Sequence, residues 1–267
     1  MTRKFLIATM AIVLLTISAG AHDLFLKLDS YFLPPNSKAV VRVLNGTFQK
    51  SEGAVTRERL ADLSVFGNGL GILESVAFRA EEKMSVIEIE TEGPGTYLVG
   101  ISTRPREIDL KAADFNSYLE EDGLPDILAA RKKNHELTKD ARERYSKHVR
   151  AVFQVGNKLG DDYKRPLNYP VEIIPQENPY SLKAGQTLPV LCLLDGKPLA
   201  NQFVIAGRET RDGKLSSAGK RTDANGVVRF ELTGAGKWFV KLIHMVPASE
   251  TGLNYESKWA TLTFEIK

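Results

Sequence analysis

Only four histidines occur in the 267 residues, His22, His135, His148 and His244. One of them stands where chain processing would change its chemistry. The stretch Ala19-Gly20-Ala21-His22-Asp23 carries the small residues of an export-signal cleavage site. A cut after Ala21 leaves His22 as the first residue, with a free α-amine and an imidazole on one residue. Two nitrogens so placed chelate a single metal ion, as in copper histidine-brace sites, and this donor set suits copper, nickel or zinc. The amine has a reference pKa of about 8, so an ion displaces only a loosely held proton. One bidentate residue holds an ion weakly, so a further ligand is expected. His244 is the best candidate. Trp238, Val240, Leu242 and His244 share one face of a regular strand, with His244 at its end where core gives way to loop. The plainer readings are an incidental first residue for His22 and a hydrogen-bonded rim histidine for His244. Asp23 alternates away from His22, and Met245 offers a soft thioether but reads more readily as core.

The remaining chemistry is sparse. His135 and His148 are too far apart for an i,i+4 chelate and read as surface residues on a helical arm. Cys192 is the only cysteine, which excludes an internal disulfide, and the run Val190-Leu191-Cys192-Leu193-Leu194 makes it a small buried hydrophobe. The sequence has no H-E-x-x-H, G-x-S-x-G or Walker lysine motif, and its carboxylates are scattered. Catalysis is therefore not the expectation; a copper oxidative activity would need an open metal position beside a substrate surface.

These residues must be positioned by the rest of the chain. Arg3, Lys4 and the apolar run from Phe5 to Ile17 complete an export signal over residues 1–21. That run is short of the roughly 20 residues of a membrane span, and no cysteine follows it to carry a lipid anchor. Loss of Arg3 and Lys4 lowers the formal charge from +3 to +1, which leaves no charge argument for nucleic acid. Residues 22–108 read as short strands separated by Gly, Asn and Pro, an N-terminal β-sandwich. Residues 109–148 read as a helical insertion. Phe115 and Leu119 stand at i,i+4, Gly123 ends a first helix, and Pro125 opens a second running from Asp126 to Lys147. Its Arg131-Lys132-Lys133 and Arg142-Glu143-Arg144 charges read as a solvated face. Residues 149–267 read as a C-terminal β-sandwich with tight turns at Asp195-Gly196-Lys197-Pro198 and Asp223-Ala224-Asn225-Gly226, and a mobile polar hairpin from Arg208 to Thr222. The fold class expected is mainly β: two immunoglobulin- or transthyretin-like antiparallel sandwiches with helices inserted between them.

Several blocks together resemble a known family. They are Ala21-His22-Asp23-Leu24-Phe25-Leu26, Phe115-Asn116-Ser117-Tyr118-Leu119, Val171-Glu172-Ile173-Ile174-Pro175, Gly196-Lys197-Pro198-Leu199-Ala200, Thr222-Asp223-Ala224-Asn225-Gly226 and Gly236-Lys237-Trp238-Phe239-Val240 running to His244-Met245. The chain is similar in these to an exported bacterial family of unknown function, labelled by analogy as a nickel- or cobalt-uptake accessory component. The resemblance implies two immunoglobulin-like sandwiches, a periplasmic or secreted location, and metal contacts at His22 and His244. The function expected is a transition-metal-binding accessory protein holding Cu, Ni or Co. Its partner would be a metal transporter or another envelope protein, with neither nucleic acid nor a membrane span in the mature chain. The alternative is a metal-free scaffold module that recognises a protein or glycan at the cell envelope.

Overall fold

The computed structural model describes residues 22–69, 73 and 76–267. The expected export signal, and Leu70 and Gly71 of a glycine-rich turn, lie outside them. The strands β1 (Asp23–Leu28), β2 (Phe32–Leu33), β3 (Lys38–Gly46), β4 (Ser51–Gly53), β5 (Leu60–Phe66), β6 (Val76–Ala80), β7 (Ser85–Glu90), β8 (Gly95–Thr103) and β9 (Arg106–Leu110) come first. Helices α1 (Ala112–Glu121) and α2 (Pro125–Lys133) follow. Then come β10 (Ala141–Val155), β11 (Val171–Pro175), β12 (Thr187–Leu194), β13 (Lys197–Pro198), β14 (Phe203–Glu209), β15 (Leu215–Arg221), β16 (Val227–Glu231), β17 (Gly236–Pro247) and β18 (Tyr255–Ile266).

Side-chain alternation sorts these strands into layers. In β3, Ala39, Val41 and Val43 are buried while Lys38, Val40 and Arg42 are exposed, the period-two pattern of a sheet with one wet face. β1, β3, β7 and β6 form one antiparallel sheet, with β4 also on β3. β11, β12 and β13 form another, with β16 on β12. Between them runs a nine-stranded sheet in the order β15-β14-β17-β18-β10-β8-β5, with β2 and β9 also on β10. Its inner strands β8, β10, β17 and β18 are largely buried on both faces. Val149, Ala151, Phe153 and Val155 pack with Leu24, Leu26, Val41 and Val43 of the first sheet. Val152, Trp238, Val240 and Leu242 pack on the other side with Val171, Ile173, Val190 and Cys192. Phe239 faces the first sheet again, its ring 5.3 Å from Phe25 and 5.0 Å from Phe48. Aromatic pairs at this spacing contribute about 0.5–1.5 kcal/mol each beyond their buried area.

The chain is therefore mainly β, as its turn spacing indicates, but the two β-regions share a central sheet. β10 pairs in parallel with β18, from Glu143↔Tyr255 to Ala151↔Thr263, and this ladder crosses the expected division at residues 109–148. A pairing between strands more than a hundred residues apart leaves no local trace in either of them.

The second helix is also shorter than its composition implies. It ends at Lys133, and Ala141 already begins β10. The stop is a left-handed residue after the helix: His135 has φ +57°, its N–H donates to Lys132 O, and Glu136 N–H donates to Arg131 O. That is the two-bond Schellman closure, made here by histidine rather than the usual glycine. Arg142 to Lys147 is then strand. Its charges are not one solvated face, because Glu143 and Lys147 are buried, as is Arg131 of α2.

Candidate functional site

His22 enters β1 where three strands meet. Asp23 pairs with Gly46, and Gly46 also pairs with Ser51 of β4 across a register shift. A Cβ at Gly46 would stand 2.4 Å from Lys50 O and 3.3 Å from Glu52 Cγ, so glycine permits this close return of the chain. The turn brings Glu52 beside the chain start, with His22 Nε2 2.9 Å from Glu52 Oε2. Both side chains remain partly exposed, 32% and 42%. The carboxylate thus stands at Nε2, across the ring from Nδ1.

The main chain below is fixed by two buried lysines. Lys147 of β10 donates through Nζ to His22 O and, at 3.2 Å, to Asn45 Oδ1. Burial pulls its pKa down to about 8, partly opposed by the charge of Asp23. Lys241 of β17 sits between Asp23 and Asp122, 2.6 Å from an oxygen of each. Burial works against its charge, but the two carboxylates raise its pKa overall. Burial raises Asp122 to about 6, with Lys241 opposing and Asp23 adding to the shift.

His244 does not join this site. It shares a face with Trp238, Val240 and Leu242, as the strand period requires, and those three pack against the sheet of β11 and β12. Lys241, of opposite parity, is the residue that reaches Asp23. His22 and His244 thus belong to opposite faces of the central sheet, and the structure does not bring the two together. His244 Nδ1 lies 3.2 Å from Gln202 Oε1, and burial lowers its pKa. Met245 is buried with Phe115, Ile243 and Trp259. Among the described residues no group of three or more His, Cys, Asp or Glu side chains is arranged to hold a metal ion.

His148 is also displaced from its expected surface position. It is 3% exposed, with Nδ1 2.9 Å from Ser102 Oγ and Nε2 2.9 Å from Ser146 Oγ, and burial lowers its pKa to about 4. His135 is exposed at the helix stop. Cys192 is wholly buried and free, as its apolar run indicates, and burial raises its pKa.

A larger groove of about 750 Å³ lies between β1 and β3 on one side and the β14–β15 hairpin on the other. Lys27 and Glu209 pair across it at 2.6 Å, and Gln49 donates to Glu209 Oε1 at 3.0 Å and to Gly213 O at 2.7 Å. Lys50, Lys83, Arg211 and Lys237 line it without an ion pair among the described residues.

Glu52, Lys147 and the Lys241–Asp122 contact escape a reading of the sequence. Glu52 lies in a three-residue strand with no periodicity, and Lys147 lies in a stretch whose composition is helical. The only local signal is Gly46, a tight turn 24 residues after His22.

No curated protein matches the chain. Among solved structures, the D0-D1 domain of intimin aligns over 90% of this chain and 96% of its own, with 13% identity and a TM-score of 0.21. A tetra-tandem repeat from the extending region of a large adhesion protein aligns over 92% of this chain and 50% of its own, with 10% identity and a TM-score of 0.25. The chain thus spans about half the length of that second structure. Residues 19–246, which include the His22 site, both flanking sheets and most of the central one, match a single family, and the protein belongs to it: the domain of unknown function DUF4198.

Proposed function

We propose that the mature protein is an envelope accessory that holds a divalent transition ion, Cu, Ni or Co, at a His22 terminus. The observation that carries this is the 2.9 Å contact between His22 Nε2 and Glu52. An amine and the Nδ1 of one histidine close a six-membered chelate ring, and Nδ1 is the nitrogen this contact leaves free. A carboxylate on the opposite ring nitrogen fixes the tautomer and raises ligand basicity, the usual outer arrangement of a metal-bound histidine. The Lys147 bond to His22 O holds the residue's main chain in place from below. The ion itself would supply Lewis acidity and exchangeable positions. Two protein nitrogens leave the other positions to water or to a partner's ligands, which suits transfer to a transporter better than permanent storage. In this reading His244 is a rim residue and takes no part.

The test compares mature protein, its first residue confirmed by mass spectrometry, with a form carrying one extra Ala before His22. The extension moves the free amine and leaves the fold alone. Stoichiometric Cu(II) or Ni(II) binding that the extension abolishes is the expected result. Equal weak binding in both forms would refute the chelate.

The groove favours a second reading, a metal-free module that docks an anionic protein or glycan. Its cations without ion pairs among the described residues, Lys50, Lys83, Arg211 and Lys237, would supply the attraction. Ligand capture that survives chelator and is lost when Lys50 and Arg211 become Glu would favour this reading.

A further inference from the structure

Beneath the chain start, separate from the groove, lies a small cavity of about 110 Å³. Its polar lining includes Arg59, Arg106, Lys147, Tyr145, Thr103 and Asn45, and neither Asp nor Glu contributes to it. Three cationic side chains thus converge on a lining without a carboxylate, with the charges of Asp23 and Glu143 acting on Lys147 from outside it. Arg59 is the telling one. It is 9% exposed, and its Nη1 has no hydrogen-bond partner among the described residues. Its neighbours Arg57 and Glu58 on the same short turn are exposed, so Arg59 is the residue of that turn directed inward. Its guanidinium lies 5.4 Å from the centre of the Tyr145 ring, and Lys147 Nζ is also 5.4 Å from that centre. A buried donor left unmade costs about 1–3 kcal/mol, and more when charged. Like charges gathered around it add to that cost.

The other polar groups in the lining also offer donors. Thr103 Oγ1 already accepts from Lys147 N–H at 2.9 Å, so its own proton is left to donate. Asn45 Oδ1 accepts from Lys147 Nζ, which leaves its amide N–H groups. The cavity is therefore lined by donors and positive charge.

We propose that this cavity binds a small oxyanion, with Arg59 as the planar fork and Arg106 and Lys147 as flanking charges. A guanidinium matches the two oxygens of a carboxylate or an inorganic oxyanion in bidentate geometry. The volume sets the size. Water takes roughly 30 Å³ in the liquid, so the cavity holds three or four waters, or one ion of four or five heavy atoms. Acetate, bicarbonate, phosphate and sulfate are of this size. The inference does not depend on metal at His22, although Lys147 touches both sites.

The test is a metal-free calorimetric titration of the mature protein at constant ionic strength. The probes are sodium acetate, bicarbonate, phosphate and sulfate, with chloride as reference. One-site saturation by at least one probe is expected, weakened at least tenfold by Arg59→Gln and several-fold by Arg106→Gln. Preference for acetate would assign a carboxylate, and preference for phosphate or sulfate an inorganic oxyanion. If near-ultraviolet circular dichroism shows that Arg59→Gln does not fold, Arg106→Gln on the exposed face of β9 and Thr103→Val decide the matter. No saturation beyond that of chloride, or wild-type affinity in the folded variants, would overturn the proposal.

Discussion

Replacing Lys241 by Met tests how the chain start is anchored. The ammonium joins β17, the first residue of β1 and the end of α1 through two 2.6 Å contacts, with the lysine side chain 10% exposed and the carboxylates 11% and 21%. Removing one member of a buried ion group costs about 3–5 kcal/mol, because uncompensated charge remains. The partial exposure of Asp122 places this site near 3 kcal/mol at pH 7.5, or roughly 6–12 °C in Tm for a chain of this size. The deficit has a characteristic pH dependence. Burial holds the folded Asp122 pKa near 6, above its unfolded value of 3.8. Its contribution is therefore a penalty present above about pH 6 and relieved as pH falls towards 4. In the variant the two carboxylates face each other without the ammonium, so a proton taken up by Asp122 relieves more. The gap between wild type and Lys241→Met should shrink to roughly 1–2 kcal/mol at pH 4.5. Urea unfolding at the two pH values measures it. A gap under about 1 kcal/mol at pH 7.5, or one that widens in acid, would refute the reasoning.

Further outcomes follow from other contacts. Glu52→Gln should lower Cu(II) affinity of the mature protein by roughly 10–100-fold without moving the unfolding midpoint, since an outer carboxylate is lost from a partly exposed site; competition with a fluorescent chelator reads it. Arg150→Met should cost about 3–5 kcal/mol in urea unfolding, because it strands Glu172 between β10 and β11, where the two side chains are 3% and 2% exposed. The His148 ring should stay neutral at pH 5 by proton NMR, because burial lowers its pKa to about 4; this group's stability contribution is present above about pH 6.5 and lost as pH falls towards 4. Gly207→Ala should destabilise by roughly 1–3 kcal/mol, since a Cβ there would meet the Phe239 ring at 2.2 Å.

Much of the β-structure was legible because it is written in local patterns. The runs at Lys38–Leu44, Thr96–Ile101, Val171–Pro175 and Trp238–Met245 alternate or are continuously apolar, and each forms a strand. Asp195 and Gly196, both with positive φ, turn β12 directly into β13 as an Asp-Gly pair should. The Arg208–Thr222 segment is the expected hairpin, with β15 on the open edge of the central sheet. β10 was not legible. Its Arg-Glu-Arg and Lys residues carry helical propensity, and the helix stop is His135 rather than a glycine. The partners that make burial of its charges tolerable come from distant segments: Ser257 for Glu143, Glu172 for Arg150, and His22 with Asn45 for Lys147. The site divides in the same way. His22 stands out through its place after a cleavage signal, whereas Glu52 meets it only because Gly46 lets the chain return. His244 was chosen by its strand face, and that face is the one directed away from His22.

The most direct measurement is a crystal structure of the mature protein loaded with one equivalent of Cu(II). The account predicts one ion bonded to the α-amine and Nδ1 of His22 at about 2.0 Å, Glu52 still on Nε2, and His244 still beside Gln202. An ion held by His244, or bound through His22 Nε2 with Glu52 displaced, would contradict it.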